Sequence, residues 1–184
     1  MTAPVEIEVK LRVADHAAVS DALHVAGAVV VERVEEVNAF LDDGSLHASD
    51  RGLRVRTAWV TPSDGGPPMR RATLTYKGPK RPGPFKQRVE LESGLDRPDA
   101  AAALLKELGF AEVLRFLKQR TRWRLMGCTV ELDTVEELGD AGNFVEVEGP
   151  TVQAIQAVRT RLGLDDAPEE PRSYAALVAE ARGG

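Results

Sequence analysis

The chain has 184 residues, 43% apolar and 29% charged, a balance that suits a soluble globular domain and excludes a disordered tail. Its formal net charge of −5 argues against a general nucleic-acid or membrane-surface binder, although a basic site can sit inside an acidic shell. A single cysteine, Cys128, excludes an intrachain disulfide and a Cys-based zinc cluster, no apolar run approaches the ~20 residues a bilayer demands, and a strand begins close to Met1, so the expectation is a cytoplasmic protein.

In chain order, apolar Val5, Ile7, Val9, Leu11 and Val13 alternate with charged Glu6, Glu8, Lys10 and Arg12, the period of a β-strand with one buried face. Asp15 and Gly27 then bracket a helix as N-cap and C-terminal stop. A β-branched run from Val29 begins a strand that can continue to Leu41, after which Asp42-Asp43-Gly44 turns the chain. Leu53–Arg56 alternates as a third strand. The segment 61–68 (TPSDGGPP) reads as a loop, 72–78 as a strand, 78–84 (GPKRPGP) as a second loop and 85–92 as a further strand. Asp96 and Pro98 open an Ala/Leu-rich helix that Gly109 closes. Strands near 113–125 and 128–136 meet at Met126-Gly127, a hairpin signal, and 144–148 is a last strand before two helices. About eight strands joined by short loops, with helices at the start, middle and end, predict an α+β fold on an antiparallel sheet in one domain, residues 1–184.

The charged face of the first strand has counterparts. Arg54 and Arg56, then Thr73, Thr75 and Lys77, then Arg88, Glu90 and Glu92, then Glu131 and Asp133, then Glu146 and Glu148 alternate with apolar neighbours; Lys118, Arg120, Arg122 and Arg124 form a basic comb. A solvated outer face accounts for any one of these strands. It accounts poorly for all of them, because a merely wet surface tolerates Ser, Thr, Gln and Asn, and these faces are almost wholly ionic. The alternative is a closed barrel with its apolar side outward, toward helices, and its charged side lining a water-filled lumen.

Clustered Arg and Lys suit phosphate, through guanidinium forks and ammonium point charge. Carboxylates beside them would repel a polyphosphate unless they hold a hard divalent cation, and Mg²⁺ takes one or two carboxylates plus phosphate oxygens. A lumen of both signs therefore points to a metal–polyphosphate complex. Two glutamates at i and i+2 of a strand project the same way about 7 Å apart, close enough to reach one ion or flank two. Other chemistry is weakly supported. There is no G-x-x-x-x-G-K-S/T phosphate loop; His16, His24 and His47 lack metal spacing and read as surface residues. Cys128 shares the parity of Val130 and Leu132 and reads as core, and Trp59 and Trp123 read as packing groups.

The N-terminal Glu6-x-Glu8-x-Lys10, followed by LRVR (53–56), LTYKGP (74–79), RVELE (88–92), KQR (118–120), LD (132–133) and FVEVE (144–148), resembles the CYTH family, the triphosphate tunnel metalloenzymes, which include class IV adenylyl cyclases and thiamine triphosphatases. The closing PRSYAAL (171–177) is similar to the tail of class IV cyclase-like members. This resemblance covers nearly the whole chain. It implies an eight-stranded antiparallel β-barrel with flanking helices, a tunnel that takes a triphosphate end-on with Mg²⁺ or Mn²⁺. Position by position, it implies Glu6, Glu8, Asp133, Glu146 and Glu148 as metal ligands, with Glu90 as a further acid. It implies Lys10, Arg54, Arg56, Lys77, Arg88, Lys118 and Arg120 as phosphate-binding residues, with Lys10, Lys77 and Lys118 as the catalytic cations. Arg12, Arg122, Arg124, Glu92 and Glu131 share the face by parity alone and are expected in salt bridges at the rim. One stretch departs from the family: where Gln-x-Asp-x-Tyr is frequent, this chain has Glu36-x-Asn38-x-Phe40, so Asn38 brings no charge and Phe40 no hydroxyl to the substrate's organic end.

The implied activity is metal-dependent hydrolysis of a triphosphate, inorganic or organically capped. The alternative is conversion of ATP to cyclic AMP and pyrophosphate. A polyphosphate- or nucleotide-binding module without turnover is the third reading, but binding alone could dispense with the metal acids. The expected partner is a small triphosphate-containing molecule, with no nucleic acid and no membrane, and a homodimer is compatible with the chain.

Overall fold

The alternating strands pair with one another all the way round. A computed structural model describes residues 5–183. Its elements are β1 (Val5–Arg12), α1 (Ala17–Val25), β2 (Val29–Asp42), β3 (Gly52–Pro62), β4 (Met69–Lys77), β5 (Lys86–Gly94), α2 (Pro98–Glu107), β6 (Ala111–Leu125), β7 (Cys128–Val135), β8 (Asn143–Glu148), α3 (Val152–Arg161) and α4 (Tyr174–Gly183). The strands close into a barrel in the order β1-β5-β4-β3-β2-β6-β7-β8, with each neighbouring pair antiparallel. This is the α+β barrel with flanking helices that the patterning predicts.

Local chemistry sets the element ends. The Asp15 carboxylate accepts a hydrogen bond from the Ala17 N–H at 2.8 Å, and Gly27 leaves α1 at φ +76°. Met126 and Gly127 both have positive φ (51° and 77°) between the paired residues Leu125 and Cys128, the signature of a two-residue type I′ hairpin. The third strand runs on to Pro62, well past the predicted Arg56. Beyond Arg56 its inward residues are apolar Ala58 and Val60, which pack on Val34 inside the barrel, so the alternation of charge is lost while the ladder continues.

The apolar sides of β1, β7 and β8 face outward, where Val9, Leu11, Val130, Leu132, Val145 and Val147 pack against Val19 and Leu23 of α1 and Ile155 and Val158 of α3. Each such fully buried side chain contributes about 1.5–3 kcal/mol. Cys128 and Trp123 belong to this core, as expected. Leu177 and Val178 of α4 cover a second cluster on Phe116, Val135 and Phe144, and α2 lies against β3, β4 and β6. Trp59 departs from its expected packing role: it stands on the outward face of β3 and is 48% exposed. Among the described residues, no helix is long and apolar enough to cross a membrane.

Candidate active site

With the apolar sides outward, the charged sides converge on the barrel axis and line a cavity of ≈ 690 Å³. The register decides who meets whom. On β1, Glu8 stands opposite Lys86 of β5 and Glu148 of β8, and Lys10 stands opposite Glu146. Arg120 of β6 faces Asp133 of β7, and Lys118 faces Glu36 of β2.

One wall is internally neutralised. The Arg120 guanidinium donates to both oxygens of Asp133 (2.6 and 2.5 Å) and to Glu146 (2.9 Å), and it also forms an ion pair with Glu131. Asp133 is fully buried and accepts in addition from Lys118 at 3.2 Å and from the Tyr174 hydroxyl at 2.8 Å. Lys118 and Arg56 each reach Glu36 at 3.4 Å. Although burial alone would raise their pKa values, these cations hold the Asp133 and Glu36 carboxyls well below the usual carboxylate range.

The wall formed by β1 and β8 is different. Burial, reinforced by Glu8 and Asp133, pushes Glu146 up to about 7. Burial and the Glu8 charge push Glu6 up to about 9 against the Lys77 ammonium at 3.7 Å, and one Glu6 carboxylate oxygen is buried with no hydrogen-bond partner among the described residues. Glu148 is also raised, by burial and by the neighbouring Glu131 and Glu8. Only Glu8 is held low, by Lys86 and Lys77 against its own burial. These four acids therefore concentrate more negative charge than their neighbours neutralise, a condition that a hard divalent cation relieves. Their all-carboxylate donor set fits Mg²⁺ or Mn²⁺. Glu131, Asp133 and Glu146 also bring carboxylate oxygens within 4.8 Å of one another, a group that could coordinate a divalent metal. In the structure the Arg120 guanidinium lies among those three.

The basic residues divide in a similar way. Arg88 is buried, its nearest acid is Asp50 at 3.6 Å, and its Nε has no partner. Arg54 makes only long contacts, to Asn38 and Thr75 at 3.4 Å and to Glu90 and Glu92 at 4.0 Å, with an equally unpartnered Nε. Lys77 is tied to Glu90 at 2.5 Å, and Arg56 to Glu92 at 3.1 Å. Burial pushes Lys10 down to about 8; its ammonium donates to the Arg172 carbonyl at 2.5 Å and lies 3.9 Å from Glu146.

Twelve of the thirteen residues predicted for the site line one lumen, and Asp133 is fully buried in its wall, bonded to Arg120 and Lys118. Of the five placed there by parity alone, Arg12 meets Glu170 at the rim (2.6 Å), Arg124 donates to Thr129, and Glu92 pairs with Arg56. Glu131 is a correction. It is buried in the inner wall between Arg120 and Arg122, because the ladder sets it opposite Glu146, deep in the lumen. The sequence reading gave no site role to Lys86, Glu36, Glu170, Arg172 or Tyr174. Lys86 shares the parity of Arg88, and Glu36 that of Asn38, so both were open to the same pattern argument. Arg172 and Tyr174 lie in the PRSYAAL stretch (171–177), whose resemblance is their one signal, and Glu170 just before it has no strand period to mark it.

A closed eight-stranded barrel whose lumen carries interleaved acids and bases defines a charged-tunnel protein. A family model described as the CYTH domain matches residues 4–174, and the chain belongs to that family. The chain is 29% identical over 184 residues to the adenylate cyclase CyaB of Aeromonas hydrophila, covering 95% of this chain and 89% of that one. It is 27% identical over 146 residues to a putative adenylate cyclase of Methanocaldococcus jannaschii, covering 78% and 76%. Among solved structures, the PH1819 protein of Pyrococcus horikoshii superposes with a TM-score of 0.79 at 27% identity, over 95% of this chain and 98% of that one.

Proposed function

We propose that the protein is a metal-dependent phosphohydrolase that takes a triphosphate, inorganic or organically capped, into the barrel lumen. The observation that carries this reading is the pairing of two unfilled sets in one cavity: under-neutralised carboxylates on β1 and β8, and the under-partnered guanidiniums of Arg54 on β3 and Arg88 on the adjoining β5. A ligand that is itself a cation on a polyanion satisfies both sets at once.

In this reading Glu6, Glu8, Glu146 and Glu148 hold the divalent cation, which when bound supplies charge neutralisation for phosphate oxygens and lowers the pKa of water. Arg54, Arg56 and Arg88 grip phosphate oxygens through their forked donors. Lys10, Lys77, Lys118 and Arg120 place positive charge where the transferring phosphoryl develops negative charge, so catalysis is mainly positioning and electrostatic stabilisation. Asp133 keeps Lys118 and Arg120 aimed into the lumen.

The second reading, cyclisation of ATP to cyclic AMP and pyrophosphate with the ribose hydroxyl as nucleophile, is favoured by the names of the two curated relatives. Both readings use the same groups and differ in which phosphorus is attacked. Incubation with tripolyphosphate, ATP and thiamine triphosphate, with and without Mg²⁺ or Mn²⁺, separates them. Free phosphate marks the hydrolase and cyclic AMP the cyclase; metal-independent binding with no product sinks both.

A further inference from the structure

The segment leading into α4 is fastened to the tunnel by contacts that the proposed function does not use. β5 pairs with β1 only over Val5–Glu8, which leaves the later half of β1 without a partner on that side. Pro168–Glu170 fills it: the Arg12 N–H donates to the Pro168 carbonyl at 2.9 Å, the Glu170 N–H to the Lys10 carbonyl at 2.8 Å, and Leu11 and Glu169 form an antiparallel bridge. Side chains hold the same strap. Glu170, itself buried, accepts from Arg12 and Arg172, each at 2.6 Å, and Arg159 of α3 grips Glu169 at 2.5 Å.

This docking carries Tyr174, the first residue of α4, into the lumen. Its hydroxyl donates to Asp133 Oδ2 at 2.8 Å. Its ring centroid lies 4.1 Å from the Lys10 ammonium and 5.1 Å from that of Lys118, and Phe144 packs edge-on at 5.2 Å. Two lysines on flexible four-carbon stems are not placed by their backbones alone. The negative face of an aromatic ring attracts both, and more strongly where water is excluded.

We propose that Tyr174 is a positioning residue, whose ring is a shared platform for Lys10 and Lys118 and whose hydroxyl ties that platform to Asp133 and, through it, to Arg120. The role rests on the reading of these cations as phosphate-binding groups. It is distinct from merely anchoring α4, which Leu177 and Val178 do by burial.

The test uses the full chain, with tripolyphosphate affinity measured by calorimetry with Ca²⁺ present as a hard cation for the carboxylates and the unfolding temperature measured alongside. Tyr174→Leu removes ring and hydroxyl, Tyr174→Phe the hydroxyl alone, and Leu177→Ala loosens α4 without touching either lysine. The expected result is a loss of about tenfold or more for Tyr174→Leu, about threefold or less for Tyr174→Phe, and about twofold or less for Leu177→Ala despite its lower Tm. Affinity of Tyr174→Leu within about twofold of wild type overturns the proposal, as does an equal loss in Leu177→Ala. Should the leucine variant not fold, the ε-methylene protons of Lys10 and Lys118 decide. An upfield ring-current shift in wild type that Tyr174→Phe preserves supports the platform, and unshifted resonances overturn it. A wild-type protein that neither binds nor turns over tripolyphosphate, ATP or thiamine triphosphate would count against the proposed function, while the lysine resonances would still report on Tyr174.

Discussion

Arg120 and Asp133 face each other across the β6–β7 ladder in a bidentate pair, Nε on Oδ1 at 2.6 Å and Nη2 on Oδ2 at 2.5 Å, and the same guanidinium reaches Glu131 and Glu146. Arg120→Ala therefore leaves three buried carboxylates short of a shared cation, with Asp133 keeping only Lys118 and Tyr174 and Glu131 keeping only Arg122. Breaking a buried pair in this way costs about 3–5 kcal/mol, to be read by urea unfolding of the metal-free protein. Adding Asp133→Asn in that background should recover part of the loss, because it removes one of the stranded charges. Strictly additive destabilisation of the two changes would refute the coupling.

Arg88 offers the clearest test of the phosphate site, since its guanidinium is buried and its one ion pair among the described residues is a long one, to Asp50 at 3.6 Å. A lost charge-assisted contact is worth about 1.5–3 kcal/mol, so Arg88→Ala should weaken tripolyphosphate binding by one to two orders of magnitude on the scale of about 1.4 kcal/mol per factor of ten. An unaltered Kd, with the fold intact by circular dichroism, would take Arg88 out of the site.

The surplus acid has a pH signature. Glu146, raised to about 7, and Glu6, raised to about 9, keep protons in the folded state that the unfolded chain sheds above its ordinary 4.5, so the metal-free protein loses stability as pH rises from about 5 to 8. Glu8, Glu36 and Asp133 act oppositely: their depressed pKa values give stability that is lost as pH falls below about 4. Melting in EDTA should therefore show a maximum near pH 5, and Mn²⁺ should raise Tm more at pH 8 than at pH 6, because metal binding replaces those protons. A Tm that climbs steadily from pH 5 to 8 without metal would contradict this charge balance.

Met126 sits at φ 51° in the type I′ turn between β6 and β7, 59% exposed, where a side chain gains nothing by packing. Asn tolerates this left-handed region far better, so Met126→Asn should stabilise the protein by about 0.5–1 kcal/mol, a rise in Tm of about 1–4 °C. Unchanged melting would mean that the turn relaxes at no cost.

How much was legible in advance depended on periodicity. Glu6, Glu8, Lys10, Arg54 and Arg56 announce their face because a strand alternates at every residue and each carries charge against an apolar neighbour. Where the inward residues turn apolar, at Ala58 and Val60, the signal stops although the strand does not. Glu131 shows the other limit: parity puts it on the inner face, but only the β7–β8 register, which sets it opposite Glu146, decides that it is deep and not at the rim.

The sequence by itself determined that these strands have one ionic and one apolar face, because side-chain alternation is a property of each strand alone. It also determined the turns and caps that make neighbouring strands antiparallel. Tertiary structure decided how the charges were shared. Arg120 neutralises Glu131 and Asp133 of β7, while Glu6, Glu148 and, although Arg120 also reaches it, Glu146 are left under-compensated, because closure fixes the register between strands distant in sequence and Coulomb energy depends on those distances. It also brought in Tyr174, which reaches Asp133 from 41 positions away in sequence because the strap before it completes the open half of β1.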